Sequence, residues 1–220
     1  VSEPGQVVLD DESAMPSMRR WAEAALSGGA HVWVQVNHGG RQIPRLLNGK
    51  PRAPSAVGLR SFLFGTPTAM AGAQIEQLVQ RYAHTATLAV KAGFTGVQIH
   101  GAHGYLISQF LSPLANLRDD AWGGDAVRRR RFLLEVLSAV RSAIGSRAVL
   151  ALKLNASDFQ RGGLGNDDAL DTIEALAQSR VDILEISGGT AESAAMLGVM
   201  DTKAGPGGLT ASRDAYFLEF

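Results

Sequence analysis

The chain has 220 residues, 45% of them apolar and 19% charged, which is enough for one globular core and argues against a disordered or fibrous chain. Lys and Arg total 21 and Asp and Glu total 21, so no net field draws the chain to nucleic acid or to an anionic membrane. Cysteine is absent, which removes disulfides, thiolate metal sites and cysteine nucleophiles and suits a reducing, cytoplasmic setting.

No apolar run approaches the roughly 18 residues a membrane helix needs, and the first residues carry Glu3, Asp10, Asp11 and Glu12 rather than a basic signal segment. A soluble chain is expected. Ser13 to Leu26 reads as a helix with Met15, Met18, Ala22 and Leu26 on one face, stopped by Gly28 and Gly29. His31 to Val36 reads as a short buried strand, and Gly39 to Ala73, with four prolines, as a long functional loop. Ala73 to Ala92 is a second helix, capped by Gly93, and Gly96 to His100 a second strand. A loop from Gly101 to Asp125 then leads into a helix over Ala126 to Ile144. Strands at Ala148 to Leu154 and Val181 to Ile186 flank a helix from Asn166 or Asp167 to Ser179. A glycine-rich stretch, Ser187 to Gly208, precedes the opening turns of a last helix at Arg213 to Phe220.

The order is thus one helix followed by four strand-helix units, which predicts an α/β fold with a parallel sheet. Every long or chemically loaded segment follows a strand, and the helix-to-strand links are short. That asymmetry favours a (β/α)8 TIM barrel over an open doubly wound sheet. Four strands cannot close such a barrel, so residues 1–220 are expected to form one partial barrel domain, about strands 3 to 6 with their helices, truncated at both ends. Its exposed strand edges would favour a homo-oligomer.

The densest chemistry is His100, His103 and Tyr105, which begins at a strand's last residue. Two neutral imidazoles can each donate an N–H toward one oxygen and a nearby phenol can supply a proton, which makes an oxyanion site plus an acid. Gln35 interrupts an apolar strand, where a carboxamide needs partners for its donor and its acceptor; a heterocycle with adjacent N–H and C=O groups would satisfy both. Lys153 lies in the apolar run Val149 to Leu154 and needs an anionic or strongly polar partner. His38, His100 and His103 could meet around a metal, but no carboxylate follows in a ligand spacing, and no metal is expected. Arg128 to Arg131 looks like a nucleic-acid patch by count alone. Four consecutive helical residues point in four directions, however, and need acidic partners such as Asp119, Asp120 or Asp125. Gly162-Gly163 and Gly188-Gly189 fit no full phosphate-binding fingerprint.

From Gly93 to Phe132 the sequence GFTGVQIHGAHGYLISQFLSPLANLRDDAWGGDAVRRRRF resembles the signature of the Old Yellow Enzyme family of FMN-dependent oxidoreductases. Further similarity lies in QVNHGGR (Gln35 to Arg41), LKLNASDFQRGGL (Leu152 to Leu164) and DILEISGGT (Asp182 to Thr190). The resemblance implies an FMN-containing barrel that takes hydride from NADH or NADPH and passes it to an activated alkene, an α,β-unsaturated carbonyl or a similar small-molecule acceptor. It implies that His100 and His103 hold the substrate oxygen, that Tyr105 donates the proton, and that Gln35 and Lys153 bind the flavin. Relative to the family, the first two strands and everything after the sixth helix are missing, so residues 1–220 alone are expected to bind FMN weakly or not at all. Two other readings are a non-catalytic barrel fragment lacking the FMN phosphate site and, further off, a metal-dependent barrel hydrolase.

Overall fold

The computed structural model describes residues 5–192, so the expected last helix and most of the glycine-rich stretch after Ser187 lie outside the described residues. In chain order the elements are α1 (Met15–Leu26), β1 (Trp33–Val36), β2 (Arg52–Ala53), β3 (Thr68–Ala69), α2 (Gly72–Lys91), β4 (Gly96–Gly101), α3 (Leu106–Leu111), α4 (Ala126–Ile144), β5 (Val149–Asn155), α5 (Asn166–Ala175) and β6 (Ile183–Ser187). The main sheet runs β1-β4-β5-β6 with every neighbouring pair parallel. Strand order therefore follows chain order without reversal, as in one wall of a (β/α)8 barrel; an open doubly wound sheet would reverse at a switch point.

The two faces of this sheet carry different side chains, because alternate residues of a strand point to opposite sides. Val97, Ile99, Leu150, Leu152 and Leu154 form one set and are fully buried. They share a core with Ile75, Val79, Tyr82 and Ala86 of α2 and Phe132, Leu133, Val136, Leu137 and Val140 of α4. Burying each large apolar side chain contributes about 2 kcal/mol, so this layer is the main stabilising term. Its apolar stripe is what makes α4 a helix here. Asp125 caps the start by accepting from Arg128 N–H at 2.8 Å, and Gly145, at φ +70°, closes the end in a backbone region that a side chain would disfavour.

The other set, Gln35, Gln98, His100, Lys153 and Glu185, lines the opposite face. Register pairs Gln35 with Gln98, His100 with Lys153, and Lys153 with Glu185. In a complete barrel this face is the interior.

Three features differ from the sequence expectation. Two helix-to-strand links are longer than expected, Ser27 to Val32 and Leu176 to Asp182; in the second, the helix expected to reach Ser179 ends at Ala175 and tightens into a 3-10 turn over Leu176–Gln178. The loop after β4 contains α3, whose six residues are too few to display a helical period. The long connection after β1 holds the two-residue parallel pair β2-β3, and it is pinned by Arg118, whose Nη1 donates to Pro54 O at 2.9 Å and Met70 O at 2.7 Å.

The arginine run is accounted for structurally. Arg128 pairs with Asp125 at 2.9 Å, Arg129 with Asp168 at 2.8 Å and Arg131 with Glu135 at 2.7 Å, while Arg130 approaches Asp171 at 4.0 Å. Arg131 also lies 4.4 Å from the Trp122 ring centroid. Of the three expected acids only Asp125 answers the run through its side chain. Asp119 and Asp120 contribute backbone carbonyls to Arg128 instead. Among the described residues no helix is long and apolar enough to cross a membrane.

Candidate active site

β4 delivers His100 at its C-terminal end, and the turn that follows delivers His103 and Tyr105. The rings meet edge to face: His100 and His103 centroids are 5.1 Å apart, and His100 and Tyr105 centroids 4.9 Å. All three expected catalytic side chains are thus brought together.

His100 is buried, and its Nδ1 accepts from the Ala102 N–H at 3.2 Å, which puts the ring proton of the neutral form on Nε2. Burial, with the neighbouring His103 and Lys153, pushes the His100 imidazole down to about 4, partly offset by Glu185. Burial also lowers His103. Both shifts favour neutral rings near pH 7, which can offer an N–H rather than a full positive charge.

His103 occupies the left-handed region at φ +59°, a conformation that costs energy for a residue with a Cβ. Three contacts hold it there. Its N–H donates to Asn155 Oδ1 at 3.1 Å, its carbonyl accepts from Gln42 Nε2 at 2.8 Å, and its Nε2 shares a 2.6 Å hydrogen bond with Ser187 Oγ. With Ser187 donating, the ring proton sits on Nδ1. The His103 turn is thus braced by the loop after β1, by β5 and by β6.

Gln109 braces it further. Its side chain donates to Gly104 O at 2.7 Å and Gly39 O at 3.2 Å and accepts from the Arg41 N–H at 3.1 Å. The two loops approach so closely here that a Cβ on Gly40 would lie 2.3 Å from Gln109 Oε1. Likewise Gly188-Gly189 permits close packing of the loop after β5, since a Cβ on Gly188 would stand 2.5 Å from the Phe159 ring.

Gln35 and Lys153 stand on the same face of the sheet as His100. Gln35 is exposed, and its Nε2 donates to Gln98 Oε1 at 2.7 Å. Lys153 has the anionic partner its setting demands: Nζ lies 2.7 Å from Glu185 Oε1. Gln98 Nε2 donates to Glu185 Oε2 at 2.8 Å, and the carboxyl sits below its ordinary range chiefly through the Lys153 hydrogen bond.

Sequence reasoning did not find Gln98, Glu185, Asn155, Ser187 or Gln42. Polar residues two positions before a strand-end histidine (Gln98) and two before a strand-end serine (Glu185) were the available signal. The three imidazoles weighed as a metal set do not form one: among the described residues no group of three His, Cys, Asp or Glu side chains converges. His38 instead accepts the Gly40 N–H on its Nδ1 at 3.0 Å. A cavity of about 210 Å³ beside β1 is lined by Leu9, Val36, Asn37, His38, Leu78 and Tyr82; Gln35 reaches its wall, but His100, His103 and Tyr105 do not.

A parallel barrel wall carries His100, His103, Tyr105, Gln35 and Lys153 toward the C-terminal ends of its strands. Residues 2–201 match the NADH:flavin oxidoreductase / NADH oxidase family, and the chain belongs to it. FMN is the flavin of that family. The chain is 36% identical over 230 residues to the NADH-dependent flavin oxidoreductase iliE of Neonectria sp. (strain DH2), a match covering 96% of this chain and 30% of that protein. A 2-naphthoyl-CoA reductase solved in complex with 2-naphthoyl-CoA superposes with TM-score 0.83 at 30% identity, covering 86% of this chain and 31% of that one. The old yellow enzyme homologue of Zymomonas mobilis gives TM-score 0.77 at 26% identity, covering 86% and 56%. The fold is therefore part of a TIM barrel, and the chain spans about 30% of the length of the curated relatives it matches first.

Proposed function

We propose that the protein passes hydride from NADH or NADPH, through FMN, to an α,β-unsaturated carbonyl or a similar small acceptor. The observation that carries this reading is the convergence of His100, His103 and Tyr105 within about 5 Å on the face that also holds Gln35 and Lys153. The donor set fits the pyrimidine edge of a flavin. Gln35 keeps its carbonyl oxygen and one amide hydrogen for a ring that alternates N–H and C=O groups, and Lys153 supplies a cation for an edge that gains negative charge on reduction.

When bound, FMN would supply the hydride chemistry that no side chain provides. The chain's own residues do the rest. The neutral imidazoles of His100 and His103 donate N–H groups to the acceptor's carbonyl oxygen, withdrawing electrons from the conjugated carbon and stabilising the enolate oxygen as charge appears on it. Tyr105 then gives its phenolic proton to the α-carbon, completing addition across the double bond. The buried position of His100 and the bracing of His103 fix both donors before the acceptor arrives.

The test is an absorbance spectrum of the intact protein with FMN, taken anaerobically. Stoichiometric NADH or NADPH should bleach the flavin band, and an enone such as cyclohexenone should restore it. Failure to retain flavin, or a bleached band that no conjugated carbonyl restores, would refute the reading.

A further inference from the structure

We infer that Glu185, acting through Gln98, is a positioning residue of this site: it balances the charge of Lys153 and fixes which way the Gln35 amide faces. The inference rests on the flavin reading above and deepens it.

Four side chains from four strands form one hydrogen-bonded relay. Glu185 Oε1 takes the Lys153 ammonium at 2.7 Å, and Oε2 takes the Gln98 amide at 2.8 Å. Gln98, its N–H side committed to the carboxylate, can present only its carbonyl oxygen across the sheet, where Gln35 Nε2 donates at 2.7 Å. The direction of every bond follows from the one group that can only accept, the ionised carboxylate. Gln35 is left with its oxygen turned away from Gln98, free for a ring N–H.

Electrostatics gives the relay a second effect. A lone ammonium beside a flavin would favour reduction by stabilising the negative charge gained, but the Lys153-Glu185 pair is neutral in sum. Glu185 therefore lowers the driving force that Lys153 alone would give. It also holds Nζ in one place, as a flexible four-carbon stem otherwise would not.

The experiment is a potentiometric titration of bound FMN in the intact protein, with flavin affinity read separately by fluorescence quenching. E185Q should favour the reduced flavin by about tenfold, a rise of about 30 mV for a two-electron couple, and E185D, which keeps the charge, should return the potential toward the parent value. Q98M should weaken FMN binding about fivefold, as expected for a lost hydrogen-bonded anchor, with the potential unmoved. If E185Q fails to fold, E185N, which removes the same charge, is titrated in its place with the same expected rise in potential, and an unmoved potential in it overturns the charge-balancing role. A parent that binds FMN while E185Q shows the parent potential overturns the charge-balancing role and leaves the proposed function standing; unchanged affinity in Q98M overturns the anchoring role. A parent that binds no flavin overturns the function and this inference together.

Discussion

The backbone N–H of His103 is held by the side chain of Asn155, 3.1 Å away, so the strained turn after β4 is fastened to the end of β5. Asn155 is fully buried, and its Nδ2 also donates to Gly189 O at 2.9 Å and Asp158 Oδ1 at 3.3 Å. It ties three strand ends together. Asn155→Ala would leave a buried donor and a buried acceptor without partners, and we expect a loss of about 2 kcal/mol in stability. The His103 turn should also loosen, seen in urea melts and in faster amide exchange at His103 than at His100. Unchanged exchange at His103 would mean that the turn is held without Asn155, by contacts such as those of Gln42, Ser187 and Gln109.

His100→Gln and Tyr105→Phe separate the two proposed roles. Removing one oxyanion donor should slow enone reduction roughly 10²-fold or more, and removing the acid should slow it by roughly 10²- to 10⁴-fold. Tyr105→Phe should leave reduction of FMN by NAD(P)H at the parent rate, because the phenol takes part only in protonating the acceptor. Stopped-flow measurement of the two half-reactions checks this; a matching loss in the reductive half would remove Tyr105 from its role.

The parts of the site that were legible in the sequence are those whose chemistry is local or anomalous. His100, His103 and Tyr105 lie within six residues at a strand end, and Lys153 stands out because a cation in an apolar run demands a partner. The partner itself was not legible. Glu185 alternates with apolar residues on a strand, which reads as an ordinary exposed position, and only the β5-β6 register puts it opposite Lys153. Gln98 was hidden in the same way, since its two partners come from β1 and β6. The strand-helix alternation followed from hydrophobic period, and the barrel-like order from the long, chemically loaded segments that follow strands rather than helices. The six-residue α3 did not, because a helix of that length is stabilised by burial of all its side chains rather than by an amphipathic stripe.

The arginine run makes a graded test of structural against surface roles. Arg129 is buried, donating to Leu111 O at 2.9 Å and Gly124 O at 2.7 Å while pairing with Asp168. Arg129→Met keeps the aliphatic volume but strands two carbonyls and a carboxylate, and should lower stability by roughly 2–4 kcal/mol. Arg131→Ala removes only an exposed ion pair and a cation-π contact, and should lower it by about 1 kcal/mol or less. Equal losses in the two variants, read from urea midpoints, would contradict this assignment.

Acid should destabilise the chain through His100 in a definite window. The imidazole titrates at about 4 in the folded state, against an ordinary 6.5, so on acidification the unfolded chain takes up this proton first. The residue's contribution is fully present above about pH 6.5, drains away as pH falls toward about 4, and at most amounts to about 3 kcal/mol. His103, lowered in the same direction, adds to the slope; Asp158, raised by burial, opposes it, because its carboxyl holds a proton more readily when folded. The parent's total pH dependence therefore mixes signs, and the informative quantity is its difference from His100→Gln. Urea melts at about pH 7 and about pH 4.5 should show a smaller acid loss in the variant than in the parent. Equal losses would mean that His100 takes up its proton as easily in the folded chain as in the unfolded one, which a neutral N–H donor buried beside Lys153 could not do.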